Sequence, residues 1–161
     1  MLLRLALFLL LAGVARSEQW TALVVGVHDG DTLTVLRGRV QVKVRLDGID
    51  CPEKAQPYGN RAQRKTAELT FDRTVTVLTT KKDRYGRTLA VIILPNGHSL
   101  NDELLRAGLA WWFRQYAPRD RSLACLEETA RDARLGLWAD SDPVPPWLWR
   151  KEKKTAGGAS Q

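Results

Sequence analysis

The chain has 161 residues, with 25 Lys and Arg against 18 Asp and Glu, a net charge of +7 and a pI near 9.8. The length suits a single domain with a sizeable core, and the charge favours a polyanionic partner, nucleic acid or an anionic surface. The two cysteines and two histidines form no Cys-x-x-Cys or Cys/His cluster, which argues against a zinc site.

Met1-Leu2-Leu3-Arg4 precedes an apolar run from Leu5 to Val14, followed by Ala15-Arg16-Ser17. This is the pattern of a secretory signal peptide cut after Ser17; the run is too short to span a bilayer comfortably. Residues 1–17 are therefore expected to be a leader, and the mature chain to be secreted or periplasmic, with no stable membrane insertion. In an exported chain, Cys51 and Cys125 permit a disulfide and equally permit two free thiols.

From Trp20 to Leu46 apolar residues alternate with others, as in half-buried strands. Val40, Val42, Val44 and Leu46 fall on one face, which puts Arg45 on the polar face, available to a ligand. Arg37-Gly38-Arg39 reads as the hairpin turn. Pro57 is expected to open a helix to about Leu69. Its basic face, Arg61, Arg64 and Lys65, suits either a nucleic-acid backbone or plain solvation. Strands follow at Thr74–Thr80 and Thr88–Leu94. A second helix, capped by Ser99 or Asn101, runs to Ala107 and stops at Gly108. A third runs from Asp120 or Ser122 to Leu135, with Gly136 as its stop. The expected fold is α+β, mainly β: a five-stranded barrel with three packed helices over 18–139. Residues 140–161, with Pro143, Pro145, Pro146 and a Lys-rich run, read as an extended Pro/Trp segment and a disordered basic tail.

Trp111-Trp112-Phe113 suits either base stacking or core packing, and core packing is favoured for at least one of the tryptophans. Trp147 and Trp149 are expected to pack on the domain surface.

The chemistry concentrates near strand ends. Asp31, Asp50 and Glu53 stand there, with Arg45 between them and Arg87 beyond. Asp29-Gly30 alone is an ordinary turn pair. Three acids with two arginines are different: carboxylates suit Ca²⁺ or Mg²⁺ and guanidiniums suit phosphate, so the set points to a metal-assisted reaction on a phosphodiester.

Val27-His28-Asp29-Gly30-Asp31-Thr32, the run Arg45 to Glu53, Asp83-Arg84-Tyr85-Gly86-Arg87, Leu100-Asn101 and Gly108-Leu109-Ala110 resemble the staphylococcal nuclease family in order and spacing. The resemblance covers about Trp20 to Trp138. It implies an OB-fold barrel and a Ca²⁺-dependent endonuclease, acting as a monomer on DNA and RNA with little sequence specificity. Cleavage would fall at the 5′ P–O bond and leave 3′-phosphate ends. Asp31, Asp50 and the carbonyl of Cys51 would ligate Ca²⁺, Glu53 would orient or deprotonate the attacking water, and Arg45 and Arg87 would clamp the phosphate. Arg84 and Tyr85 would lie near a terminal phosphate and Tyr116 near the base. Arg114 stands where the family has an aromatic near the base. Cys51 replaces the usual Thr, the loop after Glu53 is shorter, and the Pro-rich end has no counterpart in the type member. The alternative is a non-catalytic OB-fold that binds nucleic acid or protein. Such copies would be expected to lose the acids or arginines that this chain retains.

Overall fold

A computed structural model describes residues 18–158, so the leader expected over 1–17 lies outside the described residues. In chain order the strands are β1 (Glu18–Val27), β2 (Thr32–Arg37), β3 (Val40–Leu46), β4 (Ile49–Asp50), β5 (Thr74–Lys82), β6 (Thr88–Ile93) and β7 (Trp111–Trp112). The helices are α1 (Gly59–Thr70), α2 (Leu100–Arg106), α3 (Arg121–Asp132) and α4 (Pro146–Gly158). Five strands close a barrel in the order β1-β2-β3-β6-β5, and β4 pairs with β7 in a separate two-stranded ladder. This is the mainly β, α+β barrel expected from the sequence.

Alternation sets the barrel's two faces. In the antiparallel β2–β3 pair, Leu33 opposes Val44 and Val35 opposes Val42. Leu33, Val35, Val44 and Leu46 are fully or almost fully buried, with Val24, Val75, Val77 and Ile92 filling the interior beside them. Each such side chain contributes about 1.5–3 kcal/mol of burial. The same register sets Arg45 opposite Thr32, and so beside Asp31. β3 also runs parallel to β6, with Val44 opposite Thr88, which brings the segment ending at Arg87 to the same end of the barrel.

Helices α2 and α3 begin as expected. Ser99 accepts from the Asp102 N–H at 3.2 Å, and Asp120 accepts from the Leu123 N–H at 3.1 Å. Buried Asn101 ties α2 to the barrel, donating to the Asp47 carbonyl at 2.8 Å and accepting from the Ile92 N–H at 3.3 Å.

Three sequence expectations need correction. Pro57 does not open α1: the chain turns twice first, with Gln56 N–H donating to the Glu53 carbonyl (2.8 Å) and Gly59 N–H to the Gln56 carbonyl (3.0 Å). The helix starts only at Gly59, after Tyr58 in a left-handed conformation (φ 66°). Helix α3 ends at Asp132 and not at Leu135, because Arg134 adopts φ 50° and breaks the right-handed run. The largest change is at the end of the chain. Asp140–Pro145 has no helix or strand, but 146–158 forms α4 where a disordered tail was expected. Its first residue is Pro146, whose fixed φ and missing N–H suit the first helical position. Cys51 is buried and Cys125 exposed, and both are free thiols, so the disulfide does not form.

Candidate functional site

The β1–β2 turn, β3–β4 and the β5–β6 loop open onto one cleft of about 610 Å³. Local hydrogen bonds fix its acidic wall. Asp29 accepts the Asp31 N–H at 3.1 Å, so its role is to shape the turn. Helix α1 pins that turn from behind: Thr66 Oγ1 donates to the Gly30 carbonyl at 2.6 Å, and Gln63 Nε2 to the Val27 and His28 carbonyls at 3.2 and 3.0 Å. Asp31 is thereby held in the interior, 1% exposed, and Asp50, on β4 opposite Trp111 of β7, is 0% exposed.

Buried carboxylates need cationic or N–H partners. Asp31 Oδ2 accepts from the Cys51 N–H at 2.6 Å, and its Oδ1 is paired with Arg45 Nη1. Arg45 Nη2 meets Asp50 Oδ1 at 2.6 Å, so one guanidinium bridges the two carboxylates with its planar fork. Beside them burial raises the Cys51 thiol well above its ordinary value, and the Asp50 and Asp29 charges add to this while Arg45 opposes it. Cys51 therefore stays a protonated, unreactive thiol at neutral pH.

The opposite wall is the β5–β6 loop. Asp83 organises it, accepting the Tyr85 N–H at 2.8 Å, the Arg87 N–H at 3.0 Å and Arg87 Nε at 2.7 Å. Desolvation pushes the Asp83 carboxyl up, but the bonds from Arg87 and Tyr85 outweigh it and hold the carboxyl below its ordinary range. Arg87 thus reaches the cleft with one edge of its guanidinium tied back to Asp83. Tyr85 is exposed, with Arg84 over its ring at 4.8 Å, and Tyr116 is exposed at the rim, edge-on to Phe113 at 4.7 Å.

The structure therefore gathers Asp31, Glu53, Arg45, Arg87, Arg84, Tyr85 and Tyr116 around one cleft, with Cys51 also in its lining. Asp50 lies fully buried just behind it, in contact with the lining residues Arg45 and Arg150. It does not bring Arg114 there. That side chain covers the Trp112 ring at 4.9 Å and pairs with buried Glu127 at 3.3 Å, in a neighbouring depression. Neither His28 nor His98 lines the cleft. Trp111 packs edge-on to Trp138 at 4.4 Å in a small second core, as favoured for at least one of these tryptophans.

Among the cleft residues outside the motifs, one pairs directly with the acids. Arg150, on α4, donates through Nη2 to Asp50 Oδ2 at 2.7 Å and through Nη1 to Glu53 Oε1 at 2.6 Å. Burial alone would weaken its basicity, but the bonds and charges of Asp50 and Glu53 raise it above that of an ordinary arginine. Nothing in the motif spacing pointed to Arg150; the available signal was the helix start at Pro146, four residues before it.

The donor chemistry suits a hard divalent cation. Two inward-facing carboxylates with main-chain oxygens and water nearby are a set for Ca²⁺ or Mg²⁺. Among the described residues no three His, Cys, Asp or Glu side chains converge into a closed cage, so such an ion would rely on carbonyls and water for the rest of its shell.

Comparison with known proteins agrees with this geometry. Residues 43–140 match the family model described as staphylococcal nuclease homologue. An uncharacterised endonuclease of Escherichia coli O157:H7 is 45% identical over 130 residues, covering 81% of this chain and 84% of the relative. A micrococcal nuclease of Shigella flexneri is 41% identical over 142 residues, 83% of this chain and 82% of the relative. A staphylococcal-like nuclease of Arabidopsis thaliana is 41% identical over 112 residues, covering 70% of this chain and 34% of the relative.

Proposed function

The chain belongs to the staphylococcal nuclease family, and from that premise we propose that it is an exported, Ca²⁺-dependent endonuclease that hydrolyses DNA and RNA with little sequence specificity. It is a nuclease, a hydrolase of phosphodiester bonds. The Arg45 bridge carries this proposal. A single guanidinium joins two buried carboxylates at the edge of a cleft whose far wall presents Arg87.

In this reading Asp31 and Asp50, with the Cys51 carbonyl, hold Ca²⁺. When bound, the ion supplies Lewis-acid stabilisation of charge on the phosphate oxygens. Arg45 and Arg87 each present N–H donors to the same phosphate, and their planar forks match its oxygens better than an ammonium would. Glu53 accepts the proton of the attacking water as the new P–O bond forms and the 5′ oxygen leaves with the electron pair. The product retains a 3′-phosphate. Arg84 and Tyr85 flank the next phosphate, and Tyr116 offers a ring face at the rim to a base. Arg114, facing elsewhere, has no part in this set. The chain acts as a monomer.

Export rests on the sequence of residues 1–17. Among the described residues no helix is long and apolar enough to cross a membrane. The activity is tested by incubating the mature protein with single-stranded DNA and with RNA, first with Ca²⁺ and then with EGTA. Cleavage that EGTA abolishes, with 3′-phosphate ends on the products, is the expected result. Binding without cleavage would put the non-catalytic OB-fold ahead.

A further inference from the structure

Helix α4 lies beyond the segment that matches the family model, at 146–158 against 43–140. It is nonetheless built into the site. Trp147 stacks flat on Phe113, with centroids 5.3 Å apart and planes 2° from parallel, and meets the edge of Trp111 at 5.8 Å. The segment leading into it is fastened by Gln56 Nε2, which donates to the Val144 carbonyl at 2.5 Å. These contacts deliver Arg150 to the acidic wall. Both oxygens of fully buried Asp50 accept from it, Oδ1 at 3.3 Å and Oδ2 at 2.7 Å, and Arg45 takes a further position on Oδ1 at 2.6 Å. A carboxylate has about four acceptor positions. Asp50 therefore has three of them filled by guanidinium donors and one left on Oδ2, so a cation that takes both of its oxygens must take the place of at least one donor.

Charge points to which guanidinium gives way. Arg45 is wedged between Asp31 and Asp50 with a side chain only 14% exposed, whereas Arg150 is 41% exposed and its other partner, Glu53, is equally open. The three acids in direct contact carry three negative charges against two positive from Arg45 and Arg150. A divalent ion added to that set leaves one positive charge in excess. A phosphodiester carries one negative charge and removes the excess. Without Arg150, the ion alone would neutralise the set.

We propose that Arg150 holds the position of the divalent ion on Asp50 and Glu53, yields it when the ion binds, and then pairs with the substrate phosphate, so that metal and phosphodiester bind cooperatively. This role rests on the Ca²⁺ reading above and extends it. Arg150 makes each ligand's affinity depend on the other, and the dependence is reciprocal. The stacked Trp147 keeps α4 docked during the exchange, so the guanidinium travels only the length of its own side chain. It remains in the cleft with Arg45 and Arg87 when Asp50 is taken. The consequence is selectivity in loading: the site takes up its cation together with nucleic acid and binds free Ca²⁺ more weakly.

Isothermal titration of Ca²⁺ into the full mature protein tests this without any turnover. It is run alone and with a dinucleotide whose bridging 5′ oxygen is replaced by methylene, so that cleavage is blocked. In the unaltered protein the dinucleotide should tighten Ca²⁺ binding, by about 5–150-fold if the coupling is of ordinary size. Arg150→Gln should bind free Ca²⁺ about tenfold tighter than the unaltered protein and lose most of the coupling. Arg150→Lys, which keeps the charge without the fork, should fall between them. Equal or weaker Ca²⁺ binding by Arg150→Gln overturns the proposal and leaves the Ca²⁺ reading standing. Absence of Ca²⁺ binding from every variant overturns both.

Discussion

The two walls of the cleft are built in opposite ways. The acidic wall is buried, and its carboxylates are fixed by main-chain donors, by α1 from behind and by the Arg45 bridge. The arginine wall is an exposed loop whose order depends on one residue, Asp83, and whose tip, Tyr85, is 69% exposed. The difference suits what each wall would have to do in the proposed reaction. Acids that receive a cation must be held close together against their own repulsion, which takes a rigid, dry setting. Arginines that close on a long polyanion need access from solvent and can be carried on a hairpin loop.

The sharpest way to break this comparison is to remove one group from each wall. Asp31→Ala is expected to abolish both Ca²⁺ binding and cleavage, with a rate loss of about 10³-fold or more. Arg87→Lys is expected to lower the rate by about 10²–10³-fold while Ca²⁺ binding stays unchanged. Titration calorimetry and a cleavage assay on the same preparations separate the two. Loss of Ca²⁺ binding in Arg87→Lys would mean that the walls are not independent.

A smaller effect is expected from one methyl group on each wall. A Cβ at Gly59 would lie 1.9 Å from the Glu53 carbonyl oxygen, so Gly59→Ala must move either α1 or the backbone that carries Glu53. A cost of about 1–3 kcal/mol is expected, a fall in Tm of about 4 °C per kcal/mol, and activity should fall with it. Gly86 has φ 78° and open space around its missing Cβ. Gly86→Ala therefore carries backbone strain alone, about 1 kcal/mol. Calorimetric melts should rank Gly59→Ala below Gly86→Ala, and the reverse order would put the rigidity on the loop.

The mildest probe is chemical. Iodoacetamide on the native protein at pH 8 should modify Cys125 and spare Cys51, which mass spectrometry of peptides would show. The sign of the Cys51 shift also sets a pH trend. A folded-state pKa above the ordinary thiol value of about 9 stabilises the fold fully below that value and loses its contribution as pH rises through the folded pKa. Cys51→Ser should flatten the stability profile on the alkaline side.

Much of this was legible in the chain. Period-two alternation placed the barrel strands and set Arg45 on the face away from the barrel interior. Of the two caps the sequence offered for each helix, Ser99 over Asn101 and Asp120 over Ser122 make the local hydrogen bond. The acids and the arginines Arg45, Arg84 and Arg87 could be read because they sit near strand ends or turns with a recognisable local pattern, whereas Arg150 is carried on α4. The misses have a common cause: they depend on contacts between distant residues. Strands β4 and β7 are two residues each and exist only because Ile49 pairs with Trp112 and Asp50 with Trp111. Arg114 is drawn away by buried Glu127, a residue on another element. Helix α4 looked like a tail because its Lys-rich end has no apolar period, and what docks it is the fit of Trp147 on Phe113.

The parallel pairing of β3 with β6 has a further consequence, for the order in which the protein becomes an enzyme. Val44 and Arg45 meet Thr88 and Leu89 only after α1 and β5 have been threaded between them. Contacts of such sequence separation form late in folding, because the chain loses its freedom before the pairing repays it. Arg87 enters β6 and Arg150 comes later still. On that order, a chain whose barrel is still open would lack the opposing clamp, and barrel closure would complete the cleft. Until that parallel pairing forms, the two walls of the cleft do not face each other.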